Sequence, residues 1–502
     1  MTLIEPQVGL PYCLPQRQET TLHTTRRQRC NPLALGEILF MLGEHLPRNV
    51  VVVCLRVCQM WHQELLPWVW SSIEFRETES LPHLSALESH ASLVRKLYVS
   101  NNDCVTLWNT IHFPGLTTLH ISIPGSKEEI TELVRRHQPT LLSLSVYYSV
   151  TPELLDAVLG CQRLESTHLF RAAFDDDQWI IIYEKLLRRL KALTLTAPPP
   201  MDQKTGDDTD LVHGIKGMDP FLVWESASVG RLQDLTLRGK DLQAHFGIIR
   251  KCPDLVRLNW YSHTCTLVYT PMRLLAQELQ YGTGWDRLES LILPQSFSNV
   301  HFAILIDRLP GLTALDLSES SFDRQSWHLL KGSALANKLR SLALMRCHSL
   351  PGATVHDILC TLWALNTFKA DFISEADLEE DKRPWACCGL KEMRVCFSPV
   401  SKSYEDVIAL RLSHLTKLQV LDLDYSRLSL YISIDGKQNA FGVLDRLRTL
   451  RSMTSFRMRL SSVAWNNTEF EWVQEHWPKL RRLYVPVSGS DLGILAAQIE
   501  NY

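Results

Sequence analysis

The chain has 502 residues, a formal net charge of -3 and 13 cysteines. The even charge balance argues against nucleic-acid binding through a broad basic surface, and the absence of any run of eighteen apolar residues argues against a membrane span. An odd cysteine set without regular CxxC pairs argues against a disulfide framework or a zinc site, so the expectation is a soluble intracellular protein without cofactors.

Residues 1–30 lack the apolar core of a signal peptide and read as a disordered leader, in which Arg26-Arg27-Gln28-Arg29 is a short solvated basic stretch. From 31 to 75 the pattern changes. At helical spacing Leu35, Ile38, Leu39, Leu42 and Leu46 form one apolar stripe, and Val50, Val53, Cys54 and Val57 form another. Pro47 ends the first segment and Asn49 is placed to cap the next. Ile38 to Leu42 and Val50 to Leu55 are continuous apolar runs, which cover more of a helix than one core can bury, so a second partner is expected. Four consecutive valines could instead form a buried strand, but the helical spacing on either side favours a helix.

The ordered set Leu35, Glu37, Ile38, the run into Leu55, Val57-Cys58-x-x-Trp61 and a closing Trp70 resembles the F-box. The family's usual proline after the first leucine and basic residue before the tryptophan are Gly36 and Met60 here. The resemblance implies a three-helix module docking on the Skp-type adaptor of a cullin-based ubiquitin ligase. It carries Leu35, Ile38, Leu42, Leu46, Val50 and Leu55 as the adaptor-binding residues.

Beyond residue 90 one pattern, apolar-x-x-apolar-x-apolar, returns at intervals of roughly 22 to 28 residues, the leucine-rich-repeat period. Clear copies begin at Val94, Leu116, Leu141, Leu190, Leu232, Leu255, Leu288, Leu312, Leu339, Leu390, Leu418 and Leu480. Weaker ones begin at Leu164, Leu365 and Met453. Leucine makes up about one residue in six. The last two apolar positions of each copy fall on one face of a short strand. The return path is helical where Ile130, Leu133, Val134 and His137 follow one another, with Ser126 and Glu129 fitting a capping box. Entries such as FPGLTTL, LPGLTAL and WPKLRRL put a proline before the strand, where it can stop a helix. A single strand and helix cannot bury its own apolar face, so copies must stack.

The predicted fold is α/β: a leucine-rich-repeat solenoid over 76–502, with a curved parallel sheet inside and helices outside, behind a small three-helix F-box module at 31–75. Long intervals near 197–230, 261–287 and 424–452 interrupt the array, and Pro198-Pro199-Pro200 opens a flexible insertion near 197–217. The whole resembles the F-box and leucine-rich-repeat family.

Alternation assigns the concave face. Tyr98, His120, Tyr147, His168, Phe170 and Tyr261 lie towards the amino end, and Asp316, Lys369, Arg394, Asp422, Asp424, Arg457, Arg459 and Tyr484 towards the carboxyl end. Aromatic and arginine side chains are favoured interface anchors, so these are the candidate contacts to an unknown target protein. No catalytic motif occurs; Asp175-Asp176-Asp177 reads as the start of a helix carrying Trp179 and Ile182, and Cys387-Cys388 as core. The expected role is a non-catalytic substrate-recognition subunit of a Skp–cullin–F-box ligase, with no nucleic-acid or membrane partner. The alternative is a leucine-rich scaffold or inhibitor acting without a ligase, with 31–75 as a cap.

Overall fold

The four valines at 50–53 fold as helix. Val51 N–H bonds the Pro47 carbonyl at 3.0 Å and Leu55 N–H bonds Val51 at 3.0 Å, so the backbone is satisfied within the segment and only Val51 is buried. Helices α1 (Gly36–His45), α2 (Arg48–Cys54) and α3 (Gln59–Trp70) follow one another. Pro47, not Asn49, sits at the start of α2, because its carbonyl accepts from both Val50 and Val51 while Asn49 is already inside the helix. A side chain at Gly43 would have its Cβ in the Trp68 indole, so the missing Cβ lets α1 lie against α3.

The computed structural model describes residues 36–74, 83–100, 102–122, 126–170, 178, 181–196, 231–238, 248–261, 270–281, 285–293, 298–397, 402–423, 443–458, 465 and 467–485. The chain divides into two units, 1–175 and 176–502. The leader, Leu35, the 197–217 insertion and the Asp175-Asp176-Asp177 run lie outside the described residues.

After α3 the first unit alternates strand and helix: β1 (Ser72–Glu74), α4 (Leu84–His90), β2 (Lys96–Val99), α5 (Asn102–Thr110), β3 (Thr118–Ile121), α6 (Lys127–His137), β4 (Ser143–Val146), α7 (Pro152–Gly160) and β5 (Ser166–Phe170). These strands pair in parallel and in chain order. The second unit holds a wide turn at Ile182–Leu187, then β6 (Ala192–Thr196), β7 (Asp234–Arg238), β8 (Arg257–Tyr261), α8 (Thr270–Tyr281), β9 (Ser290–Ile292), α9 (Asn299–Arg308), β10 (Ala314–Asp316), α10 (Arg324–Lys331) and β11 (Ser341–Leu344). It continues with α11 (Gly352–Thr361), β12 (Thr367–Ile373), α12 (Glu375–Glu380), β13 (Glu392–Phe397), α13 (Lys402–Ser413), β14 (Val420–Asp422), α14 (Val443–Arg446), β15 (Ser455–Arg457), α15 (Asn467–His476) and β16 (Arg482–Tyr484). Again the strands pair in parallel and in chain order. Both units are thus α/β leucine-rich-repeat arrays, and all fifteen copies of the motif are strands, β2 to β16.

The motif residues form the core. Leu97, Leu119 and Leu144 are buried in register in the first unit, as are Leu315, Leu342 and Phe368 in the second. Two backbone devices repeat with them. The first motif residue closes a four-residue turn, Leu116 to Phe113 at 3.1 Å, Leu312 to Leu309 at 3.2 Å and Leu480 to Trp477 at 3.0 Å. Pro114, Pro310 and Pro478 occupy the second position of those turns, where a fixed φ near -65° and a missing N–H cost nothing. One carbonyl before each strand then accepts two successive N–H groups of the next repeat: Arg95 from Thr117 and Thr118, and Thr313 from Arg340 and Ser341. That fork pins the register before the ladder begins.

Ser126 caps α6 through the Glu129 N–H at 3.4 Å, but the Glu129 side chain accepts from Thr106 instead of reaching back, so only half of the expected capping box forms. Ile130, Leu133, Val134 and His137 are buried as their spacing requires.

Candidate functional site

Three features of the described residues stand out from the repeating frame. The first is the apolar surface of the helical module. Leu39, Gly43, Val51 and Leu65 are the buried residues of its three helices. Phe40, Met41, Leu42, Val50, Val53 and Val57 remain exposed, Val53 at 67 % and Met41 at 57 %. Of the residues assigned from sequence, Leu42 and Val50 are exposed, and Ile38, Leu46 and Leu55 are half-buried. Phe40, with its ring 4.9 Å from that of Trp68, and Met41 belong to the continuous run Ile38 to Leu42 but are not among the adaptor-binding residues that the resemblance carries.

The second feature is the face of each sheet opposite the leucines. In the first unit Tyr98, His120, Ser145 and His168 share one register row. Tyr98 and His120 stack with ring centres 4.6 Å apart, and Tyr147 meets His168 edge-on at 4.7 Å. Phe170 ends β5, half-exposed. Partial burial and the nearby Lys96 ammonium hold His120 below the ordinary imidazole pKa, favouring the neutral ring.

The chemistry of that face changes along the second unit. Its early strands carry a mixed face: Asn259 donates to Thr236 at 3.1 Å, Arg257 donates to Asp234 at 2.6 Å, and the Arg238 guanidinium lies 4.8 Å from the centre of the Tyr261 ring. Asp316 on β10 accepts the Ser318 N–H at 2.9 Å. Further on, Lys369, Arg394, Asp422, Arg457 and Tyr484 occupy one row across β12 to β16. Asp424 and Arg459 lie outside the described residues.

Sequence reasoning missed three irregularities near this row. The β12–β13 register slips between Lys369 and Phe372, and Phe372 is left 54 % exposed. Glu319 and Arg346 take left-handed backbone at φ 63° and 58°, and pair with each other at 2.7 Å. The Arg346 N–H is held by Asp371 at 2.8 Å. Neither left-handed position carries the glycine or asparagine that would have announced it.

The third feature is a polar cluster among α10, α11, α13 and the segment before β13. Asp357 accepts from Trp327 at 2.6 Å, Lys331 at 2.8 Å and Arg383 at 2.7 Å. Burial opposes its ionisation, but these donors outweigh burial and hold its pKa well below the carboxylate range. Beside it His356 is fully buried, with Nδ1 3.5 Å from Asp381 and Nε2 against the Arg411 guanidinium. Arg411 has only protons to offer, so Nε2 is the bare acceptor and Nδ1 carries the hydrogen. Burial, with Arg411 second, pushes His356 down to about 4. His356, Cys360 and Asp381 gather their donor atoms within 4.8 Å. Arg411 occupies one imidazole nitrogen and Arg383 both oxygens of Asp381, so a cation would have to displace two guanidiniums. The geometry is that of a structural clasp. Cys387 is buried, its thiol pushed up to about 12 by burial, while Cys388 is exposed.

Among the described residues no helix is long and apolar enough to cross a membrane. No protein-family model matches the chain, and no curated protein matches it. Among solved structures, an LRR protein of Leptospira interrogans aligns over 82 % of this chain and 94 % of its own, at 12 % identity and a TM-score of 0.31. At that score the alignment adds nothing to the strand pairing itself.

Proposed function

We propose that this chain is a non-catalytic substrate-recognition subunit of a cullin-based ubiquitin ligase inside the cell. In this reading the module at 36–70 docks on the Skp-type adaptor and the leucine-free faces of the sheets hold a target protein. The observation that carries it is the exposed set Phe40, Met41, Leu42, Val50, Val53 and Val57, on a module of three short helices that resembles the F-box in sequence. Few soluble proteins leave so many large apolar side chains exposed on so small a unit without a partner for them. Holding a target near the ligase's transfer enzyme would raise the effective concentration of its lysines, so the chain needs no catalytic group of its own.

Co-expression with a Skp-type adaptor tests this. The intact chain should retain the adaptor through purification, and Leu42→Asp with Val53→Asp should release it without lowering the thermal midpoint of the repeats. Failure of the folded intact chain to retain the adaptor sinks the reading.

A second reading, a leucine-rich scaffold whose helical module serves as a cap, is favoured by the way the module ends. Trp70 packs on His90 with ring centres 4.6 Å apart, and the Ser71 carbonyl accepts from both Arg95 and Lys96. Removing residues 1–71 should then destabilise the first unit sharply, and no adaptor should bind.

A further inference from the structure

We propose that the face of β12 to β16 binds an extended acidic segment of the partner protein, with Arg394 and Arg457 anchoring two separate carboxylates. This rests on the reading of the strand face as the target surface and names the chemistry of what it takes.

The row Lys369, Arg394, Asp422, Arg457 sets three cations against one carboxylate on neighbouring strands. Lys369 is neutralised by Glu392 at 2.7 Å. The two guanidiniums share a single carboxylate: each pairs with the same Asp422 oxygen at 3.7 Å, beyond hydrogen-bonding distance. Neither makes a side-chain hydrogen bond with any described residue, and Arg394 Nε is enclosed without an acceptor. Arg457 is held over the Tyr484 ring at 4.8 Å, a contact that uses none of its N–H donors in a hydrogen bond. A guanidinium edge is the natural mate of a carboxylate.

The spacing selects an extended acidic chain over one compact anion. Arg394 and Arg457 are two strands apart, about 10 Å at ordinary strand spacing, with Asp422 between them. Asp422 would repel a single dianion placed centrally, but it leaves room for carboxylates on either side, a separation matched by residues three apart in a polyproline-II-like extended peptide, where they share a face. The exposed Phe372, re-aimed by the register slip beside Cys396, offers an apolar contact at one end of the same surface.

Fluorescein-labelled polyglutamate, read by anisotropy with the full chain, is the probe, and polylysine is its control. Polyglutamate should bind and polylysine should not. Arg394→Gln with Arg457→Gln should weaken polyglutamate about tenfold or more. Asp422→Asn should tighten it several-fold, a gain that a merely structural carboxylate would not give. Arg308→Gln with Arg324→Gln, at exposed positions of α9 and α10, should change nothing. Equal affinity in the double arginine variant, or weaker binding in Asp422→Asn, overturns the proposal. Preference for polylysine overturns the acidic assignment alone, because adaptor capture is scored separately.

Discussion

Two histidines sit neutral inside their units, and their chemistry couples stability to pH. His137 lies at 1 % exposure beside Phe113 and His112, and burial, then His112 and Arg136, lowers its pKa to about 4. His356 in the second unit is lowered to about 4 as well, by burial and Arg411. In the unfolded chain both protonate near 6.5, so below that pH the unfolded state binds protons that the native state refuses. Native stability is therefore full above pH 6.5 and falls as pH drops towards 4, by about 2 kcal/mol per histidine at pH 5. Asp381, held near 2 by Arg383, adds a loss only below the ordinary carboxylate pKa. Urea midpoints of the wild type should fall between pH 7 and pH 5, and His137→Leu should remove the part belonging to the first unit. A variant whose midpoint tracks the wild type over that range would show that His137 is not the titrating group.

Helices α6, α7, α9, α10 and α12 start on side-chain caps, and their surroundings should grade the value of each cap. Ser126 on α6 is exposed, and its oxygen serves the Glu129 N–H at a long 3.4 Å. Asp323 before α10 accepts the Ser326 N–H at 2.8 Å and lies 2.9 Å from the hydroxyl of the same fully buried serine, which also donates to Asn299 at 2.6 Å. Ser126→Ala should cost about 0.5–1 kcal/mol, and Asp323→Ala about 2 kcal/mol because a buried N–H is left unmatched. Equal urea midpoints for the two variants would refute that grading. The same locality explains which elements could be read in advance. Each strand carrying Leu-x-Leu was visible because two leucines must point into one core, and α6 because four buried residues repeat at helical spacing. β1 was not, since Ser72-Ile73-Glu74 offers a single apolar residue and owes its strand to pairing with β2. Arg394, Asp422 and Arg457 could be placed on a face by alternation, but their shared geometry depends on register across copies some thirty residues apart. The clasp at Asp357 and His356 was hidden for the same reason: its members come from four elements, and none of them forms a motif in sequence.

Because each repeat leans only on its neighbours, the leucine rows of the second unit can stay constant while the central row of the opposite face changes from Thr236 and Asn259 of β7 and β8 to the charged row of β12 to β16. Recognition chemistry and core are separable in such an array, which is what a target-binding surface requires. The same architecture predicts how damage spreads. Asp357 joins α10, α11 and the segment before β13 through four hydrogen bonds to Trp327, Lys331 and Arg383, and lies beside the His356 clasp to α13. Asp357→Ala leaves the buried Trp327 N–H and the Lys331 ammonium without their acceptor, while Arg383 keeps Asp381, a loss of about 3 kcal/mol. In a nearest-neighbour array this loss is felt most by the repeats that share the clasp. Hydrogen exchange should show the largest drop in protection at β10 to β13, declining towards β6 to β8. A uniform drop from β6 to β16 would mean that the second unit unfolds as one cooperative body.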